Sequence, residues 1–205
     1  MQDLYEYERK LYDSGINLIG GIDEVGRGPL IGPVVAACVI LPKDFILEGL
    51  TDSKKLSEKK RDKFNEIILE KAISVGIGVV EASVIDELNI YKATQLAMEK
   101  AIEDMDIKPE HVLIDAMPMN LAMPSTSIIK GDSKSISIAA ASVVAKVYRD
   151  KLLVELDSQY PMYKLKQNKG YPTKQHLDAI EEYGICKHHR LSFGPVFKNK
   201  DRRID

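Results

Sequence analysis

Tryptophan is absent from the 205 residues, and aromatic residues make up only 6% of them. Cysteine is nearly absent too: Cys38 and Cys186 lie far apart and neither belongs to a C-x-x-C pair. That excludes a disulfide-stapled miniprotein and a cysteine-rich zinc module, and it predicts a reduced, cytoplasmic setting. No run of about 18 apolar residues occurs, so no membrane-spanning helix is expected. The first residues, MQDLYEYERKLYDSG, carry charge where a secretory signal needs an apolar segment. Repeats and low-complexity linkers are missing. So are G-x-G-x-x-G and G-x-x-x-x-G-K-[ST], which removes the usual nucleotide-binding fingerprints.

What is present is ordinary globular composition, 44% hydrophobic and 29% charged. The length accommodates one α/β domain. One domain over 1–205 is expected, with a core at about 15–160 and a basic, helical C-terminal part at about 161–205. Net charge is only −2, but it is unevenly spread. Residues 164–205 hold ten Lys or Arg against five Asp or Glu, whereas residues 1–163 hold 19 against 26. A basic tail on an acidic body suits an anionic partner held against a cation-loaded site; a merely solvated Lys-rich tail has the same composition.

The pattern along the chain predicts a mixed five-stranded α/β sheet. A short helix at 4–14 ends at Gly15. A strand at 17–25 runs into Gly26-Arg27-Gly28-Pro29. The next strand, 31–41, is apolar on both alternating faces, as in a sheet covered on both sides. Ser57 is placed to cap a helix to about 71, followed by a strand at 74–82. Ser83 with Asp86 is placed to cap the helical stripe that follows. HVLID ends at Asp115, another strand spans about 126–130, and a long helix runs from about 135 to 156. A last helix covers about 174–183.

Four carboxylates stand out. Asp23 and Glu24 end an apolar strand, where an unpaired buried charge is costly. Successive strand residues face opposite ways, so both serve one site only if the strand ends or bends there, as Gly26 and Gly28 permit. Asp115 ends a second apolar strand. Asp132 begins a helix, where an N-cap is its commonest role. Together they occupy the strand ends at which open α/β sheets build their sites. Carboxylate oxygens without His or Cys clusters suit Mg²⁺ or Mn²⁺, and paired divalent ions cut phosphodiesters. Gly26, Arg27 and Gly28 offer approachable backbone amides and a guanidinium. Lys54 and Lys55 precede a helix N-terminus, a natural place for phosphate, although a solvated basic loop looks the same. Tyr171 lies on a basic loop and has a face for stacking. Cys186, His188 and His189 fit packing or a phosphate contact better than zinc.

The segments GIDEVGRGPLIGPVVAACVIL, DSKKLS, LIDA, GDSKSISIAAASVVAKVYRD, GYPTKQH and HRLSFGPV together resemble the consecutive motifs of type 2 ribonuclease H, the bacterial ribonuclease HII family, over residues 15–196. The resemblance implies a ribonuclease H-like fold with a C-terminal helical extension completing a nucleic-acid groove. It implies an endoribonuclease that cuts the RNA strand of RNA/DNA hybrids and incises 5′ of ribonucleotides embedded in duplex DNA, in ribonucleotide removal and RNA primer processing. The products would carry 5′-phosphate and 3′-hydroxyl ends. The family's catalytic, metal-holding carboxylates fall on Asp23, Glu24, Asp115 and Asp132. Two Mn²⁺ or Mg²⁺ ions are implied, with Asp23 bridging both, Glu24 and Asp115 completing one shell, and Asp132 holding the other ion. The family's Gly-Arg-Gly motif falls on Gly26, Arg27 and Gly28, and its substrate-sensing tyrosine on Tyr171. Lys54, Lys146 and Arg190 are further candidates for substrate contact. Asp at 132, and not Glu, separates the chain from the related ribonuclease HIII. A non-catalytic hybrid-binding module would share the basic tail and Tyr171 but not the carboxylates. A transposase- or resolvase-type nuclease would share the carboxylates but not the Gly-Arg-Gly and Gly-Tyr-Pro-Thr segments. A monomer is expected.

Overall fold

The computed structural model describes residues 3–205. Helix α1 (Glu6–Asp13) precedes strands β1 (Ile19–Val25) and β2 (Val34–Ile40). Then come α2 (Glu58–Lys71), β3 (Ser74–Val80), α3 (Ala82–Leu88), α4 (Ile90–Asp104), β4 (His111–Asp115) and β5 (Ser125–Ile128). The long α5 (Ile136–Gln159) leads to α6 (Leu165–Asn168), α7 (Lys174–Tyr183) and α8 (Gly194–Phe197). The sheet order is β3-β2-β1-β4-β5. The β1–β2 and β2–β3 pairs are antiparallel, and β4 and β5 join parallel to β1.

Strand β2 shows why helices must cover both faces. All seven of its residues are buried. Val35, Ala37 and Val39 pack with Phe64 and Ile68 of α2 and the small residues Ala139, Ala140 and Ala141 of α5. Val34, Ala36, Cys38 and Ile40 pack on the opposite face with Ala97, Met98 and Ala101 of α4. A strand buried on both sides has no polar alternation to display. The C-terminal part builds its own apolar cluster, in which Tyr163, Leu165, Ile180, Ile185 and Val196 close over Leu153 and Leu156 of α5 and over Leu30 and Ile31.

Two capping expectations separate here. The Ser57 side chain does accept from Lys60 N at the start of α2. Ser83 and Asp86 do not cap α3, whose N-cap is Glu81 without a side-chain bond. Asp86 instead accepts from the backbone N–H groups of Leu191 and Ser192, at 2.8 and 2.7 Å. It satisfies donors of the C-terminal tail in place of local ones. Among the described residues, no helix is long and apolar enough to cross a membrane.

Candidate metal centre and nucleic-acid interface

Parallel pairing of β1 with β4 sets Ile22 opposite Ile114. The next residues, Asp23 and Asp115, therefore stand side by side on neighbouring strands. Asp115 Oδ1 accepts from Gly131 N at 2.6 Å, which ties the turn carrying Asp132 to the strand end. Asp132 lies in a 3₁₀ turn, Gly131–Ser133, and is not the cap of α5. Ser135 takes that role, accepting from Ile138 N, so the Asp132 carboxylate is left for the site. One oxygen from each of Asp23, Asp115 and Asp132 lies within 4.8 Å of the others.

Three converging carboxylates repel one another unless a cation or protons intervene. Asp23 is buried, and that burial, reinforced by Glu24 and Asp115, holds its carboxyl well above the usual carboxylate range. Burial, Asp115 and Asp52 likewise raise Asp132. The Ser142 hydroxyl of α5 tempers the rise at Asp23 and shares a 2.9 Å hydrogen bond with Ser53. The donor set is all oxygen, compact and deficient in positive charge, so these residues fit a hard divalent cation.

Glu24 lies differently. Strand β1 stays regular through Val25, with Glu24 still paired to Ala36. The bend that would turn both acids to one side comes after them, and Glu24 is not among the three carboxylates that converge. Its Oε1 is 3.6 Å from Arg27 Nη1. Burial raises its pKa, Arg27 opposes that, and the charge of Asp115 adds to the rise, so Glu24 borders the cluster without joining the close group.

Beyond β1 the chain turns at Gly26, whose φ of +95° favours glycine, and an added Cβ there would meet Arg149 at 2.3 Å. At Gly28 an added Cβ would stand 3.3 Å from Cε1 of Tyr171. The Tyr171 ring thus lies on the Gly26–Gly28 turn, and Tyr171 is 41% exposed. Leu30 N donates to Gly170 O at 2.8 Å, joining the two loops. Lys54 is exposed; burial would lower its pKa, but Asp23, Asp52 and Asp132 outweigh that and raise it. It stands in the field of the carboxylate cluster.

The sequence model of the family described as Ribonuclease HII matches residues 20–196. The chain belongs to the ribonuclease HII family. It is a type 2 ribonuclease H, a metal-dependent endonuclease. A ribonuclease HII from Bacillus cytotoxicus is 55% identical over 97% of this chain and 78% of that relative. The crystal structure of ribonuclease H2 from Pyrococcus horikoshii OT3 superposes with a TM-score of 0.76 at 23% identity, covering 90% of this chain and 97% of that one. A structure of Bst-RNase HIII in complex with Mn²⁺ superposes with a TM-score of 0.68 at 18% identity, over 90% of this chain and 70% of that one. These likenesses place the mixed sheet and its helices in the ribonuclease H-like fold.

Two ribonuclease HII candidates sit elsewhere than expected. Arg190 is fully buried and cannot reach a phosphate. It donates to the carbonyls of Gly26, Arg27 and Gly32, at 2.6 to 3.1 Å. Burial pulls its pKa down to about 9. Lys146 is committed to Asp150 at 2.7 Å, with only 14% of its side chain exposed. Sequence reasoning missed Arg149, which is also buried and donates to Pro33 O, Ile31 O and Lys169 O. A charged residue on the otherwise apolar face of α5 was its signal. Glu8 was missed as well. Its buried carboxylate accepts from Ser135 Oγ at 2.6 Å and Ser137 N at 3.1 Å, anchoring α1 to the first turn of α5 beside Asp132.

Proposed function

We propose that the chain hydrolyses the RNA strand of RNA/DNA hybrids and incises 5′ of ribonucleotides embedded in duplex DNA, as a monomer. The observation that carries this reading is the convergence of Asp23, Asp115 and Asp132 beside the contact of Gly28 with Tyr171. A nuclease centre and a close-approach backbone turn stand next to each other. Two divalent cations, Mg²⁺ or Mn²⁺, held there would supply Lewis-acid polarisation of the phosphate and charge stabilisation for the attacking and departing oxygens, and the products would carry 5′-phosphate and 3′-hydroxyl ends.

The chain's own groups do the rest. Asp23, Asp115 and Asp132 would be the ligands of these ions, and Glu24, at the border of the cluster beside Arg27, would complete the set. Backbone groups of Gly26 to Gly28 reach a ribose 2′-hydroxyl at short range because no Cβ intervenes, and that hydroxyl distinguishes RNA from DNA. Tyr171 stacks on the sugar that follows and favours a deoxyribose there. Lys54 meets a phosphate at the edge of the cluster. Arg190 holds the turn from behind through the Gly26 and Arg27 carbonyls, and Arg149 holds the Ile31 and Pro33 carbonyls beyond it.

The test is one DNA duplex carrying a single ribonucleotide, incubated with Mg²⁺ or Mn²⁺ beside an all-DNA duplex and a continuous hybrid. Incision on the 5′ side of the ribonucleotide and within the hybrid, with all-DNA untouched, is expected. Binding of these substrates without incision in either metal overturns the reading.

A further inference from the structure

Behind Tyr171 lies a group of buried rings. His176 is 0% exposed and His189 2%. Their centroids are 5.6 Å apart, and both rings pack on Tyr163, at 5.9 and 4.7 Å. The Nε2 atoms of both histidines are buried and find no hydrogen-bond partner among the described residues. Two orphaned buried nitrogens so close together call for an explanation.

The partners of the opposite nitrogens determine the tautomers. His176 Nδ1 is 3.0 Å from the carbonyl oxygen of Tyr171. A carbonyl only accepts, so Nδ1 carries the proton and His176 Nε2 presents a lone pair. Cys186 N donates to His189 Nδ1 at 3.0 Å. That nitrogen must therefore be the unprotonated one, and the proton of neutral His189 sits on Nε2. One orphan is a donor and the other an acceptor.

We propose that His189 Nε2–H donates to His176 Nε2 through one enclosed water, and that this neutral pair is a positioning device for Tyr171. His176, held in the Nδ1–H tautomer, grips the Tyr171 carbonyl while the ring of the same residue lies on Gly28. The neighbour of His189, Arg190, grips the carbonyls of Gly26, Arg27 and Gly32. The dipeptide His189-Arg190 thereby fixes both halves of the substrate-facing contact, the tyrosine through a histidine and the glycine turn through a guanidinium. The arrangement requires neutral rings. A proton on His189 Nδ1 would face the Cys186 N–H, and burial keeps both histidines below their usual range.

The functional half of this proposal rests on the reading that Tyr171 touches substrate; the tautomers do not. Long-range ¹H–¹⁵N correlation spectra of the ¹⁵N-histidine-labelled full chain at pH 7 should show His176 protonated on Nδ1 and His189 on Nε2. The opposite tautomer at either ring, or a charged ring, overturns the pair. The functional arm compares kcat/KM on the single-ribonucleotide duplex and on the continuous hybrid. His189→Phe keeps an aromatic ring against Tyr163 and removes the Nε2 donor. It should lose about five- to tenfold more on the single-ribonucleotide duplex than on the hybrid, and adding Tyr171→Ala should cost little further. Losses from the two substitutions that multiply show independent residues and overturn the positioning role. If Tyr171→Ala alone leaves both substrates unaffected, the tyrosine reading fails together with the positioning role, while the spectra still decide the tautomer pair.

Discussion

The Cβ that Gly21 lacks would lie 2.1 Å from the carbonyl carbon of Ser137. Helix α5 therefore rests its first turn directly on β1, two residues before Asp23. That contact brings the 131–133 turn, and Asp132 with it, over the strand end. Backbone cannot yield as a flexible side chain can. Gly21→Ala should destabilise the fold by about 3 kcal/mol, at the upper end of overpacking costs, and weaken cleavage in whatever remains folded. Urea unfolding measures the first quantity. A loss under about 0.5 kcal/mol, the range of an innocuous surface change, would mean that α5 is free to lift from the sheet.

Such helix-on-strand contacts explain what was legible in the residues and what was not. Asp23 and Asp115 are readable because an apolar strand ending in acid breaks its own pattern. Asp132 is ambiguous alone, since a helix start explains it equally well, and only Ser135 taking the cap decides the matter. The side on which Glu24 lies depends on where β1 stops being regular, which a glycine pattern brackets without locating. Partners distant along the chain leave the weakest trace. Asp86 satisfies donors 105 residues away, and Glu8 a hydroxyl 127 residues away. Arg190 has the composition of a phosphate contact and the position of a buried clamp. Local sequence does not separate these, because both need a planar, five-donor group.

Asp23→Asn should lower cleavage about a hundredfold or more while leaving hybrid binding nearly intact, because a neutral amide is a poor bridge for cations. It should also stabilise the metal-free protein. Burial and like charges hold the folded Asp23 pKa above its unfolded value. Its contribution is then present below the unfolded pKa and lost as pH rises through the folded one, so at neutral pH the native carboxylate is a burden. Mn²⁺ at about a hundredfold excess over Kd should raise the wild-type Tm by roughly 5 °C or more. Thermal melts in EDTA and in Mn²⁺ decide both points. An Asn variant that melts lower than wild type in EDTA contradicts the electrostatic account.

Arg190 and Lys54 should part company when salt is varied. Lys54→Ala should reduce the slope of log K against log salt by about 1 if the ammonium meets a phosphate. Arg190→Lys should leave that slope unchanged and instead lower stability by about 2 kcal/mol or more, since one ammonium cannot serve the three carbonyls now bound. Hybrid titrations between 50 and about 200 mM salt separate the two effects. A flattened slope in the Arg190 variant would restore it to the substrate surface.

Acid should loosen the C-terminal part through His189. Burial, then the neighbouring His176, pulls the His189 pKa down to about 3. Unfolded histidine titrates near 6.5. The unfolded chain therefore takes up a proton that the native state refuses, and stability present above about 6.5 falls as pH drops toward 3. The slope approaches about 1.4 kcal/mol per pH unit, or about 2 kcal/mol lost by pH 5. Tyr163, Cys186, His188 and Asp205 surround the ring together with His176. Asp23 titrates in the opposite sense, so the informative quantity is the difference between wild type and His189→Phe. That difference should shrink from pH 7.5 to pH 5 in chemical unfolding, and a constant difference would show that His189 takes up its proton as readily in the fold as in the unfolded chain.

Tyr171 gives the sharpest separation between a scaffold loop and a substrate sensor. Its ring lies on Gly28 and is partly open to solvent, and its backbone is held on both sides, by Asn168 O accepting from its N–H and by His176 on its carbonyl. The main chain is therefore tied independently of the ring, and removing the ring should leave the loop in place. Stacking of the ring on a sugar is worth about 1–3 kcal/mol if it resembles stacking on a base. Tyr171→Ala should accordingly cut kcat/KM at a lone ribonucleotide in DNA by about tenfold or more, and cut it less within a continuous hybrid, where no deoxyribose follows. Tyr171→Phe keeps the face and loses only the hydroxyl, so it should fall between wild type and Ala on the first substrate. The ratio of kcat/KM for the two substrates across the three proteins is the measurement. Equal losses on both substrates would reduce Tyr171 to general binding, and the choice of incision site would then have to come from the Gly26–Gly28 backbone alone.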